Sequence, residues 1–348
     1  MNITLEKIKE IDKSDMFSDI KSLHLQIKQE IENSKSFNLS SQKNINKIIL
    51  LGTGGGSSIA SKIVKSLLDK RINIPIFINQ GYNIPKWVDN NTLAIAITAS
   101  GNTEETLNAY NLCIEKNSLC VSITCGGKLK DLSNKLNLPI YLLPKTKMQA
   151  RALIGCLFIG LMKILETLNI LDKNYYDEYN SLIDMLNKYS LEFSNIENSK
   201  PLEVARKLVG YTPVIYSSDE LLEVCSTRWK NQFGENSKII SHYYTFPEMN
   251  HDEIVGWEQE EILRKNFKVI FLRDKDEDVR NIKRMDITKQ LLEERNIEVI
   301  EVYSKGNSDL EKIFYLIYFG DWVSIYLAFL RNIDPTPVDL IVEMKKRL

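Results

Sequence analysis

Short apolar runs alternate with longer amphipathic stretches along most of the chain. Ile48–Leu51, Pro75–Ile78, Leu93–Ala99, Cys120–Thr124 and Ile140–Leu143 are compact and apolar, and Gly, Pro or polar residues flank them. That pattern predicts strands. Ser57–Asp69 and Thr103–Lys116 lie between them and repeat their apolar positions at helical spacing. Continuous apolar strands separated by helices of this length predict a parallel sheet covered on both faces. Ala152–Leu165 reads as a helix that closes this first part.

Tyr175–Ile196 and Pro201–Leu208 read as connecting helices, after which the rhythm resumes. Val214–Tyr216, Ile239–Tyr243, Lys268–Leu272 and Val299–Tyr303 predict strands; Val279–Arg295 and Ile313–Leu330 predict helices. Pro335 and Pro337 mark the start of a terminal helix. Residues 1–40 are helical in pattern, with Ile8, Ile11, Phe17, Ile20, Leu23 and Leu25 among many charges. The expectation is an α/β protein: an N-terminal helical arm (1–40), a first doubly wound domain (41–170), a helical connection (171–200) and a second domain of the same kind (201–348).

Ile313–Leu330 is long enough to cross a bilayer, but Asp321 interrupts it centrally, which favours a buried core helix. The N-terminus carries no signal-peptide-like apolar core. With 45 Lys+Arg against 46 Asp+Glu the net charge is −1, so no global field favours nucleic acid or membrane. The five cysteines form no C-x-x-C pair, and only three histidines are present. This fits a reducing, cytoplasmic setting and argues against a structural zinc site.

Two strand-to-helix loops carry candidate chemistry. Gly52-Thr53-Gly54-Gly55-Gly56-Ser57-Ser58 follows the first strand; Thr98-Ala99-Ser100-Gly101-Asn102-Thr103-Glu104-Glu105-Thr106 follows the third. Glycine lets backbone N–H groups approach an anion, and hydroxyls at 98, 100 and 103 suit phosphate oxygens at a helix N-terminus. Each loop taken alone also suits an ordinary helix start, with Asn102 and Glu105 at capping-box spacing. Both lie at carboxyl ends of parallel strands, where open α/β sheets bind ligands. No magnesium-binding signature accompanies them, which points to a phosphomonoester.

Ser100-Gly101-Asn102-Thr103-Glu104-Glu105-Thr106 resembles the signature of sugar isomerase (SIS) domains. Trp229–Lys238, Phe246–Trp257 (with Pro247-Glu248-Met249-Asn250-His251-Asp252-Glu253) and Asp334-Pro335-Thr336-Pro337 leading to Lys345 resemble the bifunctional phosphoglucose/phosphomannose isomerases. The resemblance implies two SIS-type doubly wound domains and an aldose–ketose isomerase acting on sugar 6-phosphates through an enediol. It implies no metal and no cofactor. It aligns Gly55, Gly56 and Ser57, together with Thr98, Ser100 and Thr103, with the phosphate. The same resemblance makes Glu235 the base, His251 the ring-opening group, Arg151 the cation near the enediolate and Lys345 an aid to ring opening. A homodimer with shared active sites is implied too, His251 coming from the neighbouring subunit. His24 and His242 lack such context and read as structural. The glycine-rich loop departs from the family: Ser58, Ser61 and Lys62 replace Gly, Gly and Asp. The second domain lacks a comparable loop, since Phe271-Leu272-Arg273-Asp274 leads into charges, so one phosphate site per chain is expected. Two rival readings stay open at this point, an aminosugar-phosphate enzyme and a non-catalytic phosphosugar sensor.

Overall fold

The computed structural model describes residues 3–171, 175–218 and 221–347. Two short helices, α1 (Leu5–Ile11) and α2 (Met16–Lys21), open the chain, followed by α3 (Leu23–Ser34). The chain divides into two compact units, Leu23–Ile183 and the combination of Met1–Ser22 with Asp184–Leu348. The stretch read as one arm is therefore divided, α1 and α2 grouping with the C-terminal half and α3 with the unit that follows it.

In Leu23–Ile183 five parallel strands form one sheet: β1 (Lys47–Leu51), β2 (Ile76–Asn79), β3 (Thr92–Ile97), β4 (Leu119–Thr124) and β5 (Ile140–Leu142). Their order is β2-β1-β3-β4-β5, so the winding reverses between β1 and β3. All six residues of β3 are buried, as expected of a strand with helices on both faces. The helices are α4 (Gly54–Leu68), α5 (Glu104–Glu115), α6 (Gly127–Lys135) and α7 (Ile154–Thr167), with a 3-10 turn at Ala150–Ala152. α6 was not expected from sequence; its run GKLKDLSNK buries only Leu129 and Ser133, too thin a stripe to read as a helix. α8 (Tyr176–Ser194) spans the boundary between the units at Asp184.

The other unit repeats the winding with four parallel strands, β6 (Thr212–Ser218), β7 (His242–Phe246), β8 (Phe267–Arg273) and β9 (Val299–Tyr303), in the order β7-β6-β8-β9. β7 lies three residues later than its expected place at Ile239–Tyr243. Ile240 is 88% exposed and Ile239 only half-buried, so the apolar pair that suggested the strand lies outside the buried core. The remaining helices are α9 (Lys200–Leu208), α10 (Glu223–Glu235), α11 (Glu253–Gly256), α12 (Glu261–Arg264), α13 (Val279–Glu293), α14 (Asp309–Leu330) and α15 (Asp339–Arg347). α14 is long and apolar enough to cross a membrane, yet it is buried inside the unit. Its Asp321 accepts two hydrogen bonds from Arg228 of α10, both 2.8 Å, and Trp229 Nε1 donates to the Leu316 carbonyl at 2.8 Å. Trp229 sits where Gly320 has no side chain, a Cβ there falling 2.2 Å from Nε1.

Candidate functional site

In Leu23–Ile183 the reversal between β1 and β3 places two loops side by side at the carboxyl edge of the sheet, the position where such sheets bind ligands. α4 starts at Gly54, three residues earlier than the sequence suggested. Most of the glycine run is thus the first helical turn rather than a loop. Gly54 has φ +82°, a conformation that favours glycine. Gly56 lets the 3-10 turn approach, since a Cβ there would lie 2.4 Å from the Ala150 carbonyl oxygen. Ser57 is buried in the same turn, and a Cβ on Gly52 would fall 3.0 Å from both its Cβ and the Ile97 carbonyl oxygen. Ser57 therefore stands next to the end of β3, just before Thr98.

The second loop gathers three hydroxyls. Thr98 Oγ1 lies 2.8 Å from Thr103 Oγ1 and 3.3 Å from Ser100 Oγ. Thr103 is the N-cap of α5, but its side chain makes no cap hydrogen bond, and neither does that of Thr53 before α4. Asn102, the candidate cap from its spacing to Glu105, instead binds the neighbouring loop, its Oδ1 accepting the Lys128 N–H at 3.1 Å. Two helix N-termini whose N-cap side chains make no cap hydrogen bond, with small hydroxyls between them, form a cradle for an anion.

A third loop, which the sequence reading passed over, braces this cradle. Cys125-Gly126-Gly127 follows β4; the Cys125 N–H donates to the Ala99 carbonyl at 3.1 Å and the Leu129 N–H to the Gly101 carbonyl at 2.9 Å. A Cβ on Gly101, whose φ is +69°, would lie 1.7 Å from the Gly126 carbonyl oxygen. The signal was present as a glycine pair straight after an apolar strand. Arg151, in the turn seated on α4, is 3% exposed, so its guanidinium is held out of bulk water rather than on the surface.

The other unit holds Glu235, His251 and Lys345. Glu235 is the last residue of α10 and half-buried. The helix end is firmly held: Asn236 Nδ2 donates to Ser324 Oγ at 2.9 Å, Ser237 Oγ to the Ser324 carbonyl at 2.6 Å, and Lys238 Nζ to the Glu235 carbonyl at 2.5 Å. His251 is exposed on the segment after β7, an edge strand. That segment folds back along the strand: Tyr244 donates to Asp252 at 2.7 Å, and His242 Nε2 lies 2.7 Å from Glu253. The hydrogen bond to Asp252 pushes the Tyr244 phenol up to about 12. Glu253 also accepts from the Tyr216 hydroxyl, which receives the Trp257 Nε1–H at 2.9 Å. His242, read as structural, is in this chain the partner of a carboxylate. Lys345 lies in the last turn of α15, a helix with no buried residue.

Residues 197–348 match the family model of the bacterial phospho-glucose isomerase C-terminal SIS domain. Over 337 residues the chain is 36% identical to a bifunctional phosphoglucose/phosphomannose isomerase from Caldicellulosiruptor bescii, covering 96% of this chain and 98% of that protein. It is 34% identical to a bifunctional phosphoglucose/phosphomannose isomerase from Aquifex aeolicus, covering 86% and 90%. A crystal structure of a hypothetical protein from Thermus thermophilus has the same fold, with a TM-score of 0.73 at 14% identity, over 98% of this chain and 94% of that one.

Proposed function

The chain belongs to the bifunctional phosphoglucose/phosphomannose isomerase family, and from that premise we propose that it interconverts glucose 6-phosphate, and also mannose 6-phosphate, with fructose 6-phosphate. The observation that carries the reading is the cradle at the β1/β3 reversal, where Thr98, Ser100 and Thr103 converge between two helix N-termini. Such a cradle suits the three terminal oxygens of a phosphomonoester, with Ser57 and the Gly55-Gly56 backbone on the α4 side.

In this reading Glu235 takes the proton from C2 of the open aldose. The C–H electrons form the C1=C2 bond as the C1=O π electrons move onto O1, which takes up a proton to give the enediol. O2 then gives up its proton as C2=O forms, and the C1=C2 electrons take the proton back from the same carboxyl at C1. The secured end of α10 suits a group that must meet both carbons. Arg151 offsets the charge that develops on the enediolate oxygens; a permanent cation held out of water does this strongly. His251 passes a proton between the C1 hydroxyl and the ring oxygen to open the sugar, assisted by Lys345. No step is assigned to a metal. We place the enzyme in the cytoplasm, a reading supported by five free thiols.

The enzyme is a homodimer in this proposal, with His251 acting on the neighbouring subunit's substrate. Its exposure beside an edge strand supports that role. Co-refolding equal amounts of Glu235→Gln and His251→Ala chains should recover about one quarter of parental activity, because half the dimers are mixed and each then holds one intact site. Exchange of subunits without recovered activity excludes the shared site.

The function itself is tested on both aldose phosphates with purified protein and added chelator. Glu235→Gln should lower kcat by about 10²–10⁴-fold with substrate binding preserved. Parental turnover in that variant removes Glu235 from the chemistry.

A further inference from the structure

Arg151 sits in a turn of only three residues, Ala150–Ala152, and 3-10 turns this short have little stability of their own. Gln26, in the first turn of α3, holds the turn in place. Its Nε2 donates to the Ala152 carbonyl at 2.8 Å, and its Oε1 accepts the Cys156 N–H at 3.1 Å. Cys156 is the third residue of α7, where backbone N–H groups have no acceptor within the helix. One amide side chain thus joins the end of the turn to the start of α7, using both its donor and its acceptor.

Two glycines make the arrangement possible. A Cβ on Gly155 would fall 2.7 Å from Gln26 Oε1 and 2.8 Å from Ile27 Cγ1, so α3 approaches α7 only because that side chain is missing. On the other side, Gly56 admits the Ala150 carbonyl. The turn is clamped between the first helical turn of α4 and a glutamine of α3.

We infer that Gln26 is a positioning residue for Arg151, setting where the guanidinium stands through the Ala152 carbonyl and the Cys156 N–H. This rests on the role proposed above for Arg151. A mere brace of the fold would lose stability when removed; a positioning residue loses rate, and loses it only while Arg151 is present.

The test is a cycle of four proteins, the parent, Gln26→Met, Arg151→Ala and the double variant, compared by kcat and KM on glucose 6-phosphate and by thermal melting. Met keeps the length and packing of Gln and removes both hydrogen bonds. Gln26→Met should lower kcat by about 10–100-fold, the scale of a displaced catalytic group, with KM held within about twofold because Thr98, Ser100 and Thr103 are untouched. In the Arg151→Ala background the same change should cost no further rate. Parental kcat in folded Gln26→Met, or an equal loss in both backgrounds, overturns the inference. Parental kcat in Arg151→Ala is a different result, which overturns the role of Arg151 and the inference with it. If Gln26→Met does not fold, Gln26→Glu takes its place, keeping the acceptor for Cys156 and losing the donor to Ala152.

Discussion

The two sheets reverse their winding in the same way, yet the crevices at the two reversals are made of different material. Beside β1 and β3 stand glycines and neutral hydroxyls, packed so closely that Gly56 and Gly101 have no room for a Cβ. Beside β6 and β8 stand ions. Arg273 is buried and pairs with Asp286 and Glu301, both at 2.7 Å, and Lys312 pairs with Asp274 at 3.0 Å. Glu277 reaches into this group, its Oε1 accepting the Ser218 hydroxyl at 3.2 Å and the Asp274 N–H at 3.1 Å. A hydroxyl and a backbone N–H are the donors that a phosphate oxygen would take; here a side chain of the protein takes them. Topology offers the same place twice, and the loop residues decide whether it stays open to a ligand or is satisfied from within.

This contrast breaks most readily at the hydroxyls. Ser100→Ala combined with Thr103→Ala should raise KM by about 10²–10⁴-fold, each hydroxyl contributing about 1.5–3 kcal/mol toward a dianion. Ser218→Ala, at the ion-filled crevice, should leave KM at its parental value in the same assay. A large rise from Ser218→Ala would show that both crevices serve the substrate.

Next in size is the dependence of the second unit on buried charge. Asp321→Asn leaves Arg228 buried without its carboxylate and should lower unfolding stability by about 3–5 kcal/mol in denaturant titration. A loss under about 1 kcal/mol would mean that water reaches the guanidinium and that the ion pair does not fasten the two helices.

The smallest effect sharpens the comparison at Glu277. Burial pushes its carboxyl up to about 7, against the hydrogen bonds from Asp274 and Ser218 and the charge of Arg273, and its Oε2 has no hydrogen-bond partner among the described residues. Because the folded value lies above the ordinary one of 4.5, the folded protein binds the extra proton between those two values. Stability therefore falls as pH rises through that window, and the cost is complete above it. Glu277→Gln should stabilise the protein by about 1–3 kcal/mol at about pH 8 and by little at about pH 4.5. Equal melting shifts at the two pH values would show that Glu277 keeps its ordinary acidity.

Much of this was legible in the chain. β1, β3 and β4 are apolar runs because both faces are covered, and the loop after β3 shows its cluster of hydroxyls in residue type, though that pattern alone also suits an ordinary helix start. What escaped depends on contacts far apart in sequence. α6 is polar because it covers little, and β7 (His-Tyr-Tyr-Thr-Phe) buries only Phe246 because it lies at an edge. Nothing local to Gln26 marks it as a clamp, since its partners are more than 120 residues away. Gly56 and Gly101 read from sequence as glycines that admit an anion, whereas in the fold they also let another backbone come close. Tertiary anchoring through Asn236 and Ser237 carries α10 through Gly234 to Glu235, and no local pattern shows that anchoring.

The division of the N-terminus has a consequence for the order in which the molecule is made. α1 and α2 leave the ribosome before Leu23–Ile183, but their unit is completed only by Asp184–Leu348, where Phe17 meets the edge of Trp322 at 4.9 Å and the Lys21 carbonyl receives the Tyr318 hydroxyl at 3.3 Å. Roughly 160 residues, the whole of the intervening unit, are synthesised before the first part of that partner emerges, a wait of about 10–30 s at common elongation rates. During that interval Ile8, Ile11 and Ile20 have no core to enter, while Leu23–Ile183 is already continuous and free to fold. The nascent chain thus carries α1 and α2 unpaired until Asp184–Leu348 is made, and the hydroxyl cradle belongs to the unit that can mature before them.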